Sequence, residues 1–134
     1  MNWVALDALP RLHETPLPVI NVNPPRMTLE ADDQAERRVR LIFEPYQAVR
    51  VITADCFDVP QGLMLSVPWP VFECLNSPLI AELKQILART DVTATFMNDT
   101  RHFLIPLRDD FLEVVAREVK WEFVPKGESG AHNV

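Results

Sequence analysis

The chain has 134 residues, 48% of them hydrophobic and 24% charged, with 13 basic against 19 acidic side chains and a net charge of −6. That length fits one domain with a core of its own, and the hydrophobic content excludes a chain disordered throughout. The net acidity opposes nucleic acid and anionic membrane surfaces, which repel it at long range, and no apolar run approaches the ~18 residues of a membrane-spanning helix.

At the N-terminus, Trp3, Leu6 and Leu9 recur every three residues behind Asn2, a spacing that predicts a short helix laying Trp3 on the core. The same stretch has no basic region ahead of a long apolar one, so no signal peptide is expected and the cytoplasm is the expected compartment. Pro10, Pro16, Pro18, Pro24 and Pro25 follow. Prolines fix φ and remove N–H donors, so this stretch should be irregular or extended and should lie over the surface or an edge of a sheet. Thr28 to Arg37, with Glu30, Asp32, Asp33 and Glu36, is expected to be a solvated loop or a turn of helix. Residues 1–35 are thus expected to form a Pro-rich, irregular N-terminal segment.

Val39, Leu41 and Phe43 then alternate with Arg38, Arg40 and Glu44, the period of a strand with one buried face. Gln47 to Ala54 alternates again, and Pro45-Tyr46 between the two runs suggests the turn of a hairpin. Pro60, Gln61 and Gly62 mark a turn before a short strand over 63–67, and Pro68 and Pro70 bracket Trp69, which becomes either a core plug or a binding platform. Ser77 and Pro78 are a strong helix start, a capping hydroxyl followed by a proline whose missing N–H costs nothing at the first helical position. Leu79, Leu83, Ile86 and Leu87 continue as one apolar stripe, so a helix over Pro78 to Arg89 should pack on a sheet.

The rest predicts a three-stranded meander: TATFM from Thr93, RHFLIPL from Arg101, and FLEVVAREVKWEFV from Phe111, joined at Asn98-Asp99-Thr100 and Arg108-Asp109-Asp110. Asp109 could instead cap a helix over 109–119, but Val, Phe and Trp favour strand. A bulge is expected near Arg117. The expectation for the whole is a single α+β domain over residues 1–124. It has one antiparallel sheet of about five strands, one main helix packed on it, and a flexible tail over 125–134.

Catalytic and metal signatures are missing. Cys56 and Cys74 have seventeen residues between them, which matches no zinc spacing, and both are expected to be reduced. Asp55 and Asp58 beside Cys56 disfavour its thiolate. No glycine-rich phosphate loop, GxSxG or EF-hand pattern occurs, so no cofactor, metal or catalytic residue is assigned. His102 is the one histidine within a predicted element. Asp110 or Glu113 on the neighbouring strand could orient its ring.

Ser77-Pro78 with Ile80 and Glu82-Leu83, then Arg101-His102-Phe103, Asp110 and Glu113-Val114-Val115-Ala116 resemble small uncharacterised bacterial α+β proteins of immunity or accessory type. About 60 residues carry the resemblance. It implies an accessory or toxin-neutralising protein; with the net acidity and the missing catalytic motifs, the expectation is a non-enzymatic protein-binding domain whose acidic face occludes a basic partner. Asp32, Asp33, Glu36, Trp69, His102, Asp109, Asp110 and Glu113 are the candidate binding residues. The alternative is a small enzyme or ligand-binding protein using His102 with Asp110 or Glu113. A concave, partly apolar pocket beside His102 would favour the alternative, and a flat acidic face the first reading. Oligomeric state is left open.

Overall fold

The computed structural model describes residues 2–14, 16–60, 63 and 67–125. Seven strands form one antiparallel sheet: β1 (Asn2–Ala5), β2 (Val19–Asn23), β3 (Arg26–Asp32), β4 (Arg38–Thr53), β5 (Phe72–Leu75), β6 (Arg101–Pro106) and β7 (Asp110–Phe123), in the order β1-β5-β6-β7-β4-β3-β2. One helix, α1 (Pro78–Thr90), and a short 3-10 turn at Ala54–Cys56 are the helical elements among the described residues. The protein is therefore mostly β. The expected α+β layout of about five strands under one packed helix is corrected in both strand number and the helix's place.

Three local expectations fail for identifiable reasons. Asn2–Ala5 is an edge strand, with Trp3 opposite Cys74 and Ala5 opposite Phe72; three apolar residues at a spacing of three were too few to specify a helix. Arg26–Asp32 is a strand, not a solvated loop. Met27, Leu29 and Ala31 are fully buried on one face. On the other, Glu30 stands opposite Arg40 and Asp32 opposite Arg38, so the acidic run is half of a cross-strand charge ladder. Arg40 Nη2 lies 3.4 Å from Glu30 and its Nη1 2.9 Å from Glu122 on β7. The TATFM segment is no strand; it forms turns, with Asn98 N–H bonded to the Thr95 carbonyl at 3.0 Å.

The predicted hairpin at Pro45-Tyr46 is instead one strand of 16 residues, paired along most of its length with the 14-residue β7. Phe43 and Tyr46, three apart, both pack into the main core, as do Ala116 and Val119 across the ladder. The alternation therefore breaks at Pro45, which has no N–H for the ladder, and the register shifts between Tyr46 and Ala48. A helix over 109–119 is excluded by β7. Of the expected strand over 63–67, residues 64–66 lie outside the described residues, as do 126–134 of the expected tail.

The break lets the sheet curl. Strands on either side of a third lie about 10 Å apart when flat, yet Phe43 on β4 and Phe103 on β6 bring their ring centroids to 5.4 Å. The main core fills that concave face with Met27, Leu29, Leu41, Phe43, Phe103, Ile105, Leu112 and Val114. Leu12, in the Pro-rich segment, bridges Asp33 and Trp69 and is buried; its N–H donates to the Trp69 carbonyl at 2.8 Å and its own carbonyl accepts from Trp69 N–H at 2.6 Å. The proline-rich stretch thus closes one end of the curl, and its β2 portion forms the sheet's other edge.

The opposite face carries a smaller core, Phe72, Leu104 and Phe111, with Phe57 stacked on Phe111 at 4.3 Å. α1 begins over this face. Its Ser77 cap and Pro78 start agree with the sequence reading and it ends at Thr90, one residue past the expected Arg89, but no residue of the helix is buried. Leu79, Leu83 and Leu87 are half-buried and Ile86 is 47% exposed. None of the described helices is long and apolar enough to cross a membrane.

Phe103→Ala is therefore expected to cost about 3–5 kcal/mol, as large-to-small core changes do. Leu83→Ala should cost about 1 kcal/mol, because much of its side chain is already solvated. Urea denaturation of the two variants checks this, and equal losses would contradict the placement of the helix.

Candidate functional site

The second face gathers its polar groups at one place. Residues opposite one another in an antiparallel ladder project to the same side. Arg50 on β4 stands opposite Glu113 on β7, Glu113 opposite Leu104 on β6, and His102 opposite Cys74 on β5, itself opposite Trp3 on β1. The register alone sets Arg50, Glu113, His102 and Trp3 side by side.

The turn into α1 adds the fourth polar group. Asn76 adopts φ 58°, a left-handed conformation that asparagine tolerates better than other non-glycine residues, and it swings Ser77 over β6. Ser77 Oγ accepts from the Ile80 N–H at 3.1 Å and lies 2.8 Å from His102 Nδ1. His102 Nε2 lies 2.6 Å from Glu113 Oε2. Glu113 also accepts from Arg50 Nε and Nη2, both at 3.2 Å. His102, Glu113 and Ser77 are buried, whereas the Arg50 side chain is 52% exposed. Trp3 closes edge-on against the imidazole, with centroids 5.3 Å apart.

Proton positions follow from counting donors. An ionised Glu113 has no proton, so His102 Nε2 supplies one. Ser77 already accepts from Ile80 and has its own proton for Nδ1. The neutral Nε2–H tautomer uses each donor once, whereas an imidazolium would leave the Ser77 proton without an acceptor among the described residues. Burial alone would push the Glu113 carboxyl up. The hydrogen bonds from His102 and Arg50, with the Arg50 charge, outweigh burial and hold it below the usual glutamate value.

This chain of four looks like a charge relay, but it does not present a nucleophile. A cavity of about 400 Å³ is lined by Trp3, Arg50, Ile52, Phe57, Leu79, His102 and Glu113, among others, and Ser77 does not line it. Ser77 lines a separate, more open groove of about 610 Å³ beside Thr100 and Arg101, and His102 does not reach that groove. Hydroxyl and imidazole therefore face different spaces. Pro78, the next residue, has no N–H to serve an oxyanion, and the Ser77 oxygen is engaged as a helix cap. The arrangement fixes α1 to the sheet and gives the cavity a rigid polar floor.

The sequence-predicted residues fall in different places. His102 and Glu113 are joined directly. Asp110 is not with them: it pairs with Thr53 at the first position of β7, three residues from Glu113 and so on the opposite face of the sheet. Asp109 is exposed, and its carbonyl accepts from Ala54 N–H at 2.9 Å. Asp32 pairs with Arg38 at 3.2 Å. Asp33 is buried and organises its own turn, accepting from the Ala35 and Arg37 N–H groups at 2.9 Å and from the Arg37 side chain at 3.0 Å. Burial raises its pKa, and those hydrogen bonds bring it below the usual aspartate value. Glu36 is exposed in that turn with φ 61°. Trp69 is bound through its backbone to Leu12, away from the cavity. Asp32 and Asp33 thus meet arginines, whereas Glu36 stays exposed.

The sequence alone does not mark Arg50, Ser77 or Trp3 as site residues. Arg50 looks like one of several wet-face arginines until the ladder register is known. Ser77 signals a helix cap, and the spacing around Trp3 signals a helix. Cys56 is exposed on the cavity rim, while Cys74 is buried, and burial pushes the Cys74 thiol pKa up. Among the described residues, no group of three or more His, Cys, Asp or Glu side chains is placed to hold a metal ion. No protein-family model, curated protein or solved structure matches the chain.

Because the folded Glu113 carboxyl is depressed, its contribution to stability is complete above the ordinary glutamate pKa of about 4.3 and is lost as pH falls through the folded value. Glu113→Gln should cost about 1.5–3 kcal/mol at pH 7 and show a shallower loss of stability on acidification than the wild type. Urea unfolding at a series of pH values checks both; parallel acid limbs would contradict the assignment.

Proposed function

We propose that this is a ligand-binding domain whose site is the cavity floored by Arg50, Glu113 and His102, and that it acts by binding rather than by covalent catalysis. One observation carries the reading: a concave space of about 400 Å³, within the size range of small-molecule sites, mixes apolar walls with a few convergent polar groups. The separation of Ser77 from His102 by cavity argues against acyl transfer. The arginine partners of Asp32 and Asp33 remove support for an acidic docking face at those residues.

A fragment set of small amphipathic molecules tests this by ¹H–¹⁵N NMR of the full chain. Shifts should cluster at Trp3, Ile52, Phe57 and Leu79, and carboxamidomethylation of the exposed Cys56 should abolish them. Shifts scattered over the surface, or unaffected by the modified thiol, would contradict the reading.

A second reading, recognition of a protein partner, is favoured by α1. Its stripe is only half-buried among the described residues, and Ile86, Val92 and Phe96 are 47%, 83% and 60% exposed. The net charge of −6 supports a basic partner. Replacing Ile86 and Val92 with Glu should change stability by no more than about 0.5 kcal/mol each. On this reading it abolishes retention of a basic protein from the source lysate, and equal retention by wild type and variant would contradict it.

A further inference from the structure

We propose that the cavity beneath Trp3 takes a small monocarboxylate with an apolar body; this rests on the ligand-binding reading above and names its ligand class. The first ground is the state of each polar group on the lining. Both His102 nitrogens are engaged, one by Ser77 and one by Glu113. Glu113 is enclosed between His102 and Arg50. It offers nothing to a cationic ligand.

One donor on the lining has capacity left. Arg50 gives Nε and Nη2 to Glu113, and its Nη1 makes no hydrogen bond among the described residues. The Trp3 indole N–H also lacks an acceptor among them, but it has no surface open to the cavity. An unused donor in a partly apolar cavity selects a ligand that brings an acceptor, and a guanidinium receives a carboxylate better than a neutral oxygen.

The walls supply the apolar half. Trp3, Ile52, Phe57 and Leu79 surround the space, and Phe57 is held in place by its stack on Phe111. About 400 Å³ accommodates one ring or a short branched chain together with the acid group.

Asp58 limits the charge. It lines the same cavity, is exposed, and makes no ion pair among the described residues. Arg50 is the one arginine or lysine on the described lining, so a second negative group on the ligand would meet Asp58 without a further cation to answer it. A monocarboxylate is therefore favoured over a dicarboxylate.

Three probes separate these statements: phenylacetate, 2-phenylethanol and phenylmalonate, each titrated into the ¹⁵N-labelled full chain at pH 7. Phenylacetate should give saturable shifts of the Trp3 indole N–H and the Arg50 Nε–H. 2-Phenylethanol should bind about tenfold more weakly, the scale of one charge-assisted hydrogen bond. Phenylmalonate should bind more weakly than phenylacetate, and Asp58→Asn, an exposed change that spares the fold, should close that gap. Arg50→Gln should reduce phenylacetate affinity to that of the alcohol. Equal binding of phenylacetate and 2-phenylethanol at the cavity would overturn the carboxylate class while leaving the ligand-binding reading standing. A phenylmalonate gap unchanged in Asp58→Asn would overturn the selection against dianions. Cavity shifts with none of the three would overturn the ligand class, and it would fall with the wider reading if the fragment set also left the cavity silent.

Discussion

The long β4–β7 ladder is the constraint on which the rest of the molecule depends. Thirteen residue pairs run from Val39↔Phe123 to Thr53↔Asp110, and every other strand of the sheet is attached to one side or the other of this pair. The break in alternation around Pro45 divides it into two stretches. The first turns Val39, Leu41 and Phe43 into the main core. Beyond the shift, the ladder still feeds that core through Val49 and Val114, while its other side carries Arg50 and Glu113. The sheet encloses the main core on one side and carries a smaller core and the polar cluster on the other.

Glu113 shows how that geometry becomes chemistry. A carboxylate this buried is costly unless its charge and lone pairs are answered. Arg50, its ladder opposite, answers with a two-point contact, and His102, on the adjacent strand, answers with Nε2. His102 in turn needs a donor at Nδ1, and the α1 cap provides it. The helix has no buried residue of its own, so the Ser77 link fixes its first turn where apolar packing does not. Fastening the helix start also places Pro78 and Leu79 on the wall of the cavity.

Much of the local structure was legible. Ser77-Pro78 announced the helix because capping chemistry is local, and β4, β6 and β7 showed their alternation. What escaped depended on partners distant in sequence. The β3 alternation of Met27, Leu29 and Ala31 was present, but Glu30 and Asp32 between them look like a solvated run until Arg40 and Arg38 are known to stand opposite. The α1 stripe was read correctly as apolar and wrongly as buried, since amphipathicity reports a face and not what covers it. At the site, His102 with Glu113 was legible as one of two pairings. Register chose Glu113 over Asp110. Arg50 and Ser77 could not be placed before the ladder and the Asn76 turn were known.

The most direct test of the polar chain is the state of the His102 ring, measured by long-range ¹H–¹⁵N NMR at neutral pH. A chain running Ser77 to His102 to Glu113 holds Nε2 protonated toward Glu113 in one form of the ring, and Ser77→Ala should move the Nδ1 resonance while leaving Nε2 protonated. Averaged shifts of two exchanging tautomers, or an unprotonated Nε2, would contradict the chain and with it the fixed floor of the cavity.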